Sequence, residues 1–203
     1  MKKDLFNRII EYATNNEFGI NYSAFISWAT WNENDISDRS MFDSIEIIKK
    51  LQSDRIILGL NASVVDDNSS LIESQKYGGF HCQHTGGRDR WLLDATKNTP
   101  FEYAYMSDTL KVKETDSGKL KRILKNNPEL EEEQLKLLIN ELSLLGNNLK
   151  IIVIGKDAEY FLKKIIDSFD GTIQYEVIPH YAKRGIKKEE FLQAFALAVN
   201  NLD

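Results

Sequence analysis

The sequence predicts an α/β fold: one domain, built as a three-layer sandwich with a four-stranded parallel sheet and helices on both faces. Three observations predict it. Four short runs read as strands, at 55–60, 103–110, 150–154 and 174–178, and the first is a run of apolar β-formers of the kind found in a parallel strand buried on both faces. Segments of helical spacing separate them, so each connection is long enough to cross over and return parallel. No repeat, low-complexity tract or Pro/Gly/Ser linker divides the 203 residues, a length that suits one domain.

Taken in order, residues 3–15 form an amphipathic helix with Leu5, Ile9, Ile10 and Tyr12 along one stripe. Residues 41–51 repeat the pattern through Phe42, Ile45, Ile48 and Leu51. Between them lies an aromatic-rich segment, 22–31, whose Trp28 and Trp31 are expected in the core. Residues 1–50 therefore read as an N-terminal helical extension packed on the rest of a single domain, 1–203. The first central strand, 55–60, is followed by a long polar stretch, 61–90, with glycines at 78, 79, 86 and 87. Loops of that length inside compact domains are usually functional or mobile. Further helices are expected at 89–97, 117–125, 129–145, 156–169 and 187–200. The third of these opens with Asn127 as cap and Pro128 at its first helical position.

Composition excludes some functions and constrains others. No apolar run reaches the roughly 18 residues of a membrane span, and the first residues lack the pattern of a secretory signal. Cys82 is the single cysteine and has no internal disulfide partner, so a cytoplasmic setting is expected. The net charge of −5 gives no global attraction to nucleic acid, so any phosphate site must be built locally. Lys183, Arg184, Lys187 and Lys188 form the best basic patch, though Glu189 and Glu190 beside them also suit a solvated face. His81, Cys82 and His84 are a single cluster, whereas structural zinc sites usually pair ligands from two places. No metal site is expected.

In a parallel sheet all strand carboxyl ends share one edge, where open α/β sheets bind ligands. That edge would gather Asn61, Asp108, Gly155 with Lys156, and Pro179-His180: an amide, a carboxylate and a histidine among small residues. Asn61 and Ser63 also suit a plain turn-capping role.

These segments resemble the motifs of the uracil-DNA glycosylase superfamily. Gly59-Leu60-Asn61-Ala62-Ser63 is similar to its first motif, Gly-x-Asn-Pro-Gly/Ser. Pro179-His180-Tyr181-Ala182 resembles the His-Pro-Ser motif after the last strand, and Ser107-Asp108-Thr109-Leu110-Lys111 resembles a strand ending in Thr-Asn-x-x-Lys. Order and spacing agree over about residues 50–200. The resemblance implies a uracil-DNA glycosylase-like fold and hydrolysis of the N-glycosidic bond of an altered base flipped out of DNA. Asn61 would position water, and His180 would stabilise the leaving base. Asp108 would read the base edge, with Phe80 stacked on the base. Ser63, Lys183 and Arg184 would meet DNA, and Ile186 would be the intercalating wedge. The implied partner is single-stranded or lesion-bearing DNA, with no metal or organic cofactor, no membrane and no obligate protein partner.

The departures from the motifs carry their own chemistry. Ala62 stands for the motif proline, Tyr181-Ala182 for Pro-Ser, and Asp108 for the base-reading Asn. An ionised carboxylate only accepts hydrogen bonds, so Asp108 suits an exocyclic amino group or must be protonated in a dry pocket. Two alternatives follow: a catalytically inactive DNA- or base-binding module of the same fold, and an enzyme acting on free nucleosides or nucleotides.

Overall fold

The computed structural model describes residues 1–61, 77, 79–81, 88–112, 114 and 116–203. The fold is α/β, with a five-stranded sheet in the order β1-β3-β2-β4-β5. Its strands are β1 (Ser27–Trp28), β2 (Arg55–Asn61), β3 (Tyr105–Leu110), β4 (Asn148–Ile154) and β5 (Thr172–Ile178). The last four are the expected strands, and all their pairings are parallel. β1 adds to the edge of β3 in the antiparallel sense, through Ser27 opposite Met106 and Trp28 opposite Tyr105. The sheet is therefore mixed and one strand wider than expected, and the segment before residue 50 is more than a helical extension. Two residues are too short to show a period of two, so composition alone does not reveal this strand.

Seven α-helices surround the sheet among the described residues. They are α1 (Lys3–Thr14), α2 (Ile45–Lys50), α3 (Asp89–Thr96), α4 (Ser117–Asn126), α5 (Pro128–Leu145), α6 (Lys156–Ile165) and α7 (Lys188–Leu202). Strand alternation divides the core. Ile56, Leu58, Tyr105 and Val153 pack with α1, α5 and α6 on one face. Ile57, Met106 and Ile152 pack with Leu92 of α3 and with Phe191 and Phe195 of α7 on the other. Trp28 is fully buried, as expected, against Phe6, Phe42 and Tyr105. No helix among the described residues is long and apolar enough to cross a membrane.

Two boundaries move for physical reasons. The expected strand at 103–110 begins only at Tyr105, because Tyr103 has φ +67°, a left-handed conformation incompatible with a strand. The expected helix at 41–51 is split into a 3₁₀ turn, Ser40–Asp43, and α2. Ser44 interrupts it as the N-cap of α2, its side chain accepting from the Ile47 N–H.

β2 has β3 on one side and β4 on the other, so successive connections leave the sheet in opposite directions there. The topological switch point therefore lies between β2 and β4, the kind of position at which open α/β sheets bind ligands.

Candidate functional site

Gly59 and Asp108 are direct partners across β2 and β3, so both lie on the α3/α7 face of the sheet. A Cβ on residue 59 would sit 2.3 Å from Asp108 Oδ1 and 3.3 Å from Phe80 Cζ. The missing side chain is what lets a carboxyl group and an aromatic ring converge over the sheet. Phe80 itself has φ +63°, and its carbonyl accepts from Trp31 Nε1–H at 3.0 Å. A strained backbone is thus held in place by an indole from the N-terminal segment.

Asp108 is 5 % exposed, and its carboxyl group has no hydrogen bond or ion pair to any described residue. A buried, unpartnered carboxylate is costly, and desolvation raises its pKa to about 7. The Lys111 ammonium opposes that rise, while the charges of Glu141 and Asp89 add to it. Lys111 and Glu141 are themselves buried, on the opposite face of the sheet. There Lys111 Nζ lies 2.6 Å from Glu141 Oε2, and Glu141 Oε1 accepts from Tyr105 OH at 2.6 Å and Ser107 Oγ at 2.7 Å.

His180 follows β5 and sits against Gly155, whose φ of +93° turns the chain at the end of β4. The Ala182 N–H donates to His180 Nδ1 at 3.0 Å, so the neutral ring carries its proton on Nε2. Desolvation lowers the His180 pKa, which favours that neutral form. The ring stacks on Tyr181, and the Tyr181 hydroxyl donates to Asp89 Oδ1 at 3.1 Å. Asp89 is buried at the start of α3. Arg88 beside it stacks over Trp91 and donates through Nη1 to the Tyr181 carbonyl at 2.7 Å. Arg88 and Asp89 together fasten the loop after β5 onto α3.

Asn61 is placed differently. At the end of β2 its Nδ2 donates to the carbonyls of Val112 and Glu114, in the loop between β3 and α4. Those bonds fix the amide with Oδ1 as its acceptor end and tie β2 to a distant loop, which is a different role from capping its own turn. Phe80 and Asp108 are thus brought together over Gly59, His180 is joined to Asp89 through Tyr181, and Asn61 is anchored toward the β3–α4 loop. Ser63 lies outside the described residues.

Lys183 and Arg184 are exposed, with Pro179 and Glu190 beside them along an open groove of about 250 Å³. Lys188, in contrast, is paired with Asp94 at 2.6 Å, and Glu190 Oε2 accepts from the Lys187 N–H at 3.3 Å. The positive charge of the patch therefore rests on Lys183, Arg184 and Lys187, because the Lys187 bond to Glu190 uses its backbone N–H and leaves its ammonium group in place. Ile186 is half-buried and packs on the α3/α7 core. Another groove, about 290 Å³, lies between α4 and α5 and holds none of these residues.

His81 is buried with Nδ1 3.1 Å from the Ile36 carbonyl, its ring between Trp31 and Phe42. Burial pushes its pKa down to about 4, the behaviour of a neutral core histidine. Cys82 and His84 lie outside the described residues. Asp89 is the site residue that sequence reasoning missed. At a helix start it reads as a dipole partner or a local ion-pair former, and its contact with Tyr181 comes from 92 residues away. No protein-family model and no curated protein matches this chain.

Proposed function

We propose that this chain is a divergent uracil-DNA glycosylase-like protein that hydrolyses the N-glycosidic bond of an altered base flipped out of DNA. The observation that carries the reading is Asp108: a buried carboxyl group without a partner among the described residues, beside an aromatic ring, on the strand next to the central strand of an α/β sheet. An edge-reading polar group next to a stacking face is what an extruded base requires, and its contacts offset the few kcal/mol that unstacking costs. In this reading Phe80 stacks on the base and Asp108 bonds its edge. His180, with its proton on Nε2, donates to the charge that builds on the leaving base. Asn61, held by two carbonyls through Nδ2, is the residue that positions the attacking water. An amide cannot remove the water's proton, so turnover is slow. Lys183 and Arg184 hold the flanking phosphates, and Ile186 lies beside them.

The test is incubation with oligonucleotides carrying uracil, hypoxanthine, xanthine or a modified cytosine, followed by assay for abasic sites. Cleavage at one of these, lowered at least tenfold by Asn61→Ala, is expected. Absence of abasic sites from every substrate overturns the reading. Salt-dependent binding without cleavage then identifies an inactive binding module. Saturable binding of a mononucleotide, with no gain from a longer strand, identifies an enzyme of free nucleosides or nucleotides.

A further inference from the structure

We propose that Asp108 is the general acid of this site: it meets the base as a carboxylic acid and passes its proton to that base as the glycosidic bond breaks. The inference rests on the glycosylase reading and changes the part Asp108 plays in it, from recognition alone to proton transfer.

The arrangement of charge around β3 carries it. An ammonium group has three N–H donors. Those of Lys111 are directed to Glu141 Oε2 at 2.6 Å, to Ser107 Oγ at 2.5 Å and to the backbone carbonyl of Asp108 at 2.5 Å. Its charge is also shared with the Tyr22 ring, 4.9 Å away. Lys111, the one buried cation near Asp108 among the described residues, therefore has none of its donors left for the Asp108 carboxylate, although its charge still draws the Asp108 pKa down. The acidic groups whose charge reaches Asp108 are Glu141 on α5 and Asp89 on α3. Asp89 is held there by the Tyr181 hydroxyl from the loop before α7. Gly59 on β2 and the ring of Phe80 contribute no charge. A buried carboxyl group with no donor directed at it holds its proton in part of the population at neutral pH, in keeping with a pKa pushed up to about 7 by desolvation, and that value suits a catalytic acid.

The step balances with water as the co-reactant. The C1′–N bond breaks and its electron pair passes to the base, while the Asp108 proton moves to a carbonyl oxygen or nitrogen on the base edge. Water forms the new C1′–O bond and releases a proton, which restores the Asp108 acid. The products are the free base and a sugar bearing a 1′-hydroxyl.

Asparagine at position 108 separates the two roles, because an amide bonds a base edge yet has no proton to transfer. For Asp108→Asn, the single-turnover rate of base release is expected to fall at least 10²-fold, while affinity for the free base changes less than threefold. The wild-type rate should fall about tenfold per pH unit above pH 7. Carbon-13 NMR of the side-chain carboxyl groups should show Asp108 titrating near neutrality, a readout independent of turnover. A rate preserved in Asp108→Asn, or a titration in the ordinary carboxylate range, overturns the proposal. If the wild-type protein releases no base although Asp108 titrates near neutrality, the glycosylase reading fails and the transfer step falls with it. If base is released and Asp108→Asn works as well, only the acid role is lost.

Discussion

A methyl group added at residue 59 would lie 2.3 Å from Asp108 Oδ1, so either the carboxyl group or the strand pairing has to move. Gly59→Ala is therefore expected to cost about 1–3 kcal/mol, as overpacking does. It should also weaken binding of a free base at least tenfold; calorimetric affinity equal to wild type would show that nothing docks over Gly59. Asp108 carries a separate prediction through linkage. Its folded pKa is about 7 against an ordinary 3.8, so between those values the folded chain holds a proton that the unfolded chain has released. Its contribution is favourable below about pH 4 and is lost as pH rises to 7. His81 and His180 act in the opposite sense, because burial lowers both pKa values and stability falls as acid protonates the unfolded chain. Comparison with Asp108→Asn isolates the carboxyl group. The melting temperature of the wild type relative to that variant should drop from pH 4 to pH 7 and then level off. A constant difference across that range would mean that Asp108 ionises normally in the folded protein.

β3 joins the two faces of the sheet. Its alternation sends Tyr105 and Ser107 to Glu141 of α5, and sends Asp108 to the site. Because Lys111 and Glu141 are buried as a pair, Glu141→Gln leaves an uncompensated ammonium ion and should destabilise the protein by about 3–5 kcal/mol in urea unfolding. The same change removes a negative charge and frees the Lys111 field. The Asp108 pKa should then fall, and an unchanged titration would show that the faces are not coupled. Much of this element was legible in the sequence, because a strand buried on both faces is a run of apolar residues and Asp108 interrupts one. β2 and β4 were legible for the same reason, whereas β5 is an edge strand with only Ile178 buried, and its sequence mixes Gln and Glu with the apolar residues. What escaped was set by distant contacts or by backbone conformation. β1 is two residues long, Tyr103 is left-handed, and Asp89 owes its place to Tyr181. The Lys111–Glu141 pair spans 30 residues and no local pattern announces it.

For the whole molecule, the difficulty with a nucleic-acid partner is the net charge of −5. Long-range attraction is absent, so affinity has to come from charges within a Debye length of the bound strand, about 10 Å at 0.1 M salt. The fold concentrates those charges. Lys188 is neutralised by Asp94, and the acidic first turns of α5 lie on the opposite face of the sheet from α7. Arg88 braces the loop that presents Lys183 and Arg184, donating to the carbonyls of Tyr181 and Lys183. Each phosphate contact to a single strand adds about 0.7 to the slope of log affinity against log salt. Replacing both residues in Lys183→Glu/Arg184→Glu should therefore reduce that slope by about 1.4 and weaken strand binding, while affinity for a free base stays within twofold of wild type. Fluorescence anisotropy over a salt series measures the first, and calorimetry the second. A slope that does not change assigns the patch to solvent, and a fall in both affinities would mean that the loop supports the base site itself. Only loss of strand affinity with base affinity intact fits a base site over Gly59 served by a separate, local phosphate clamp.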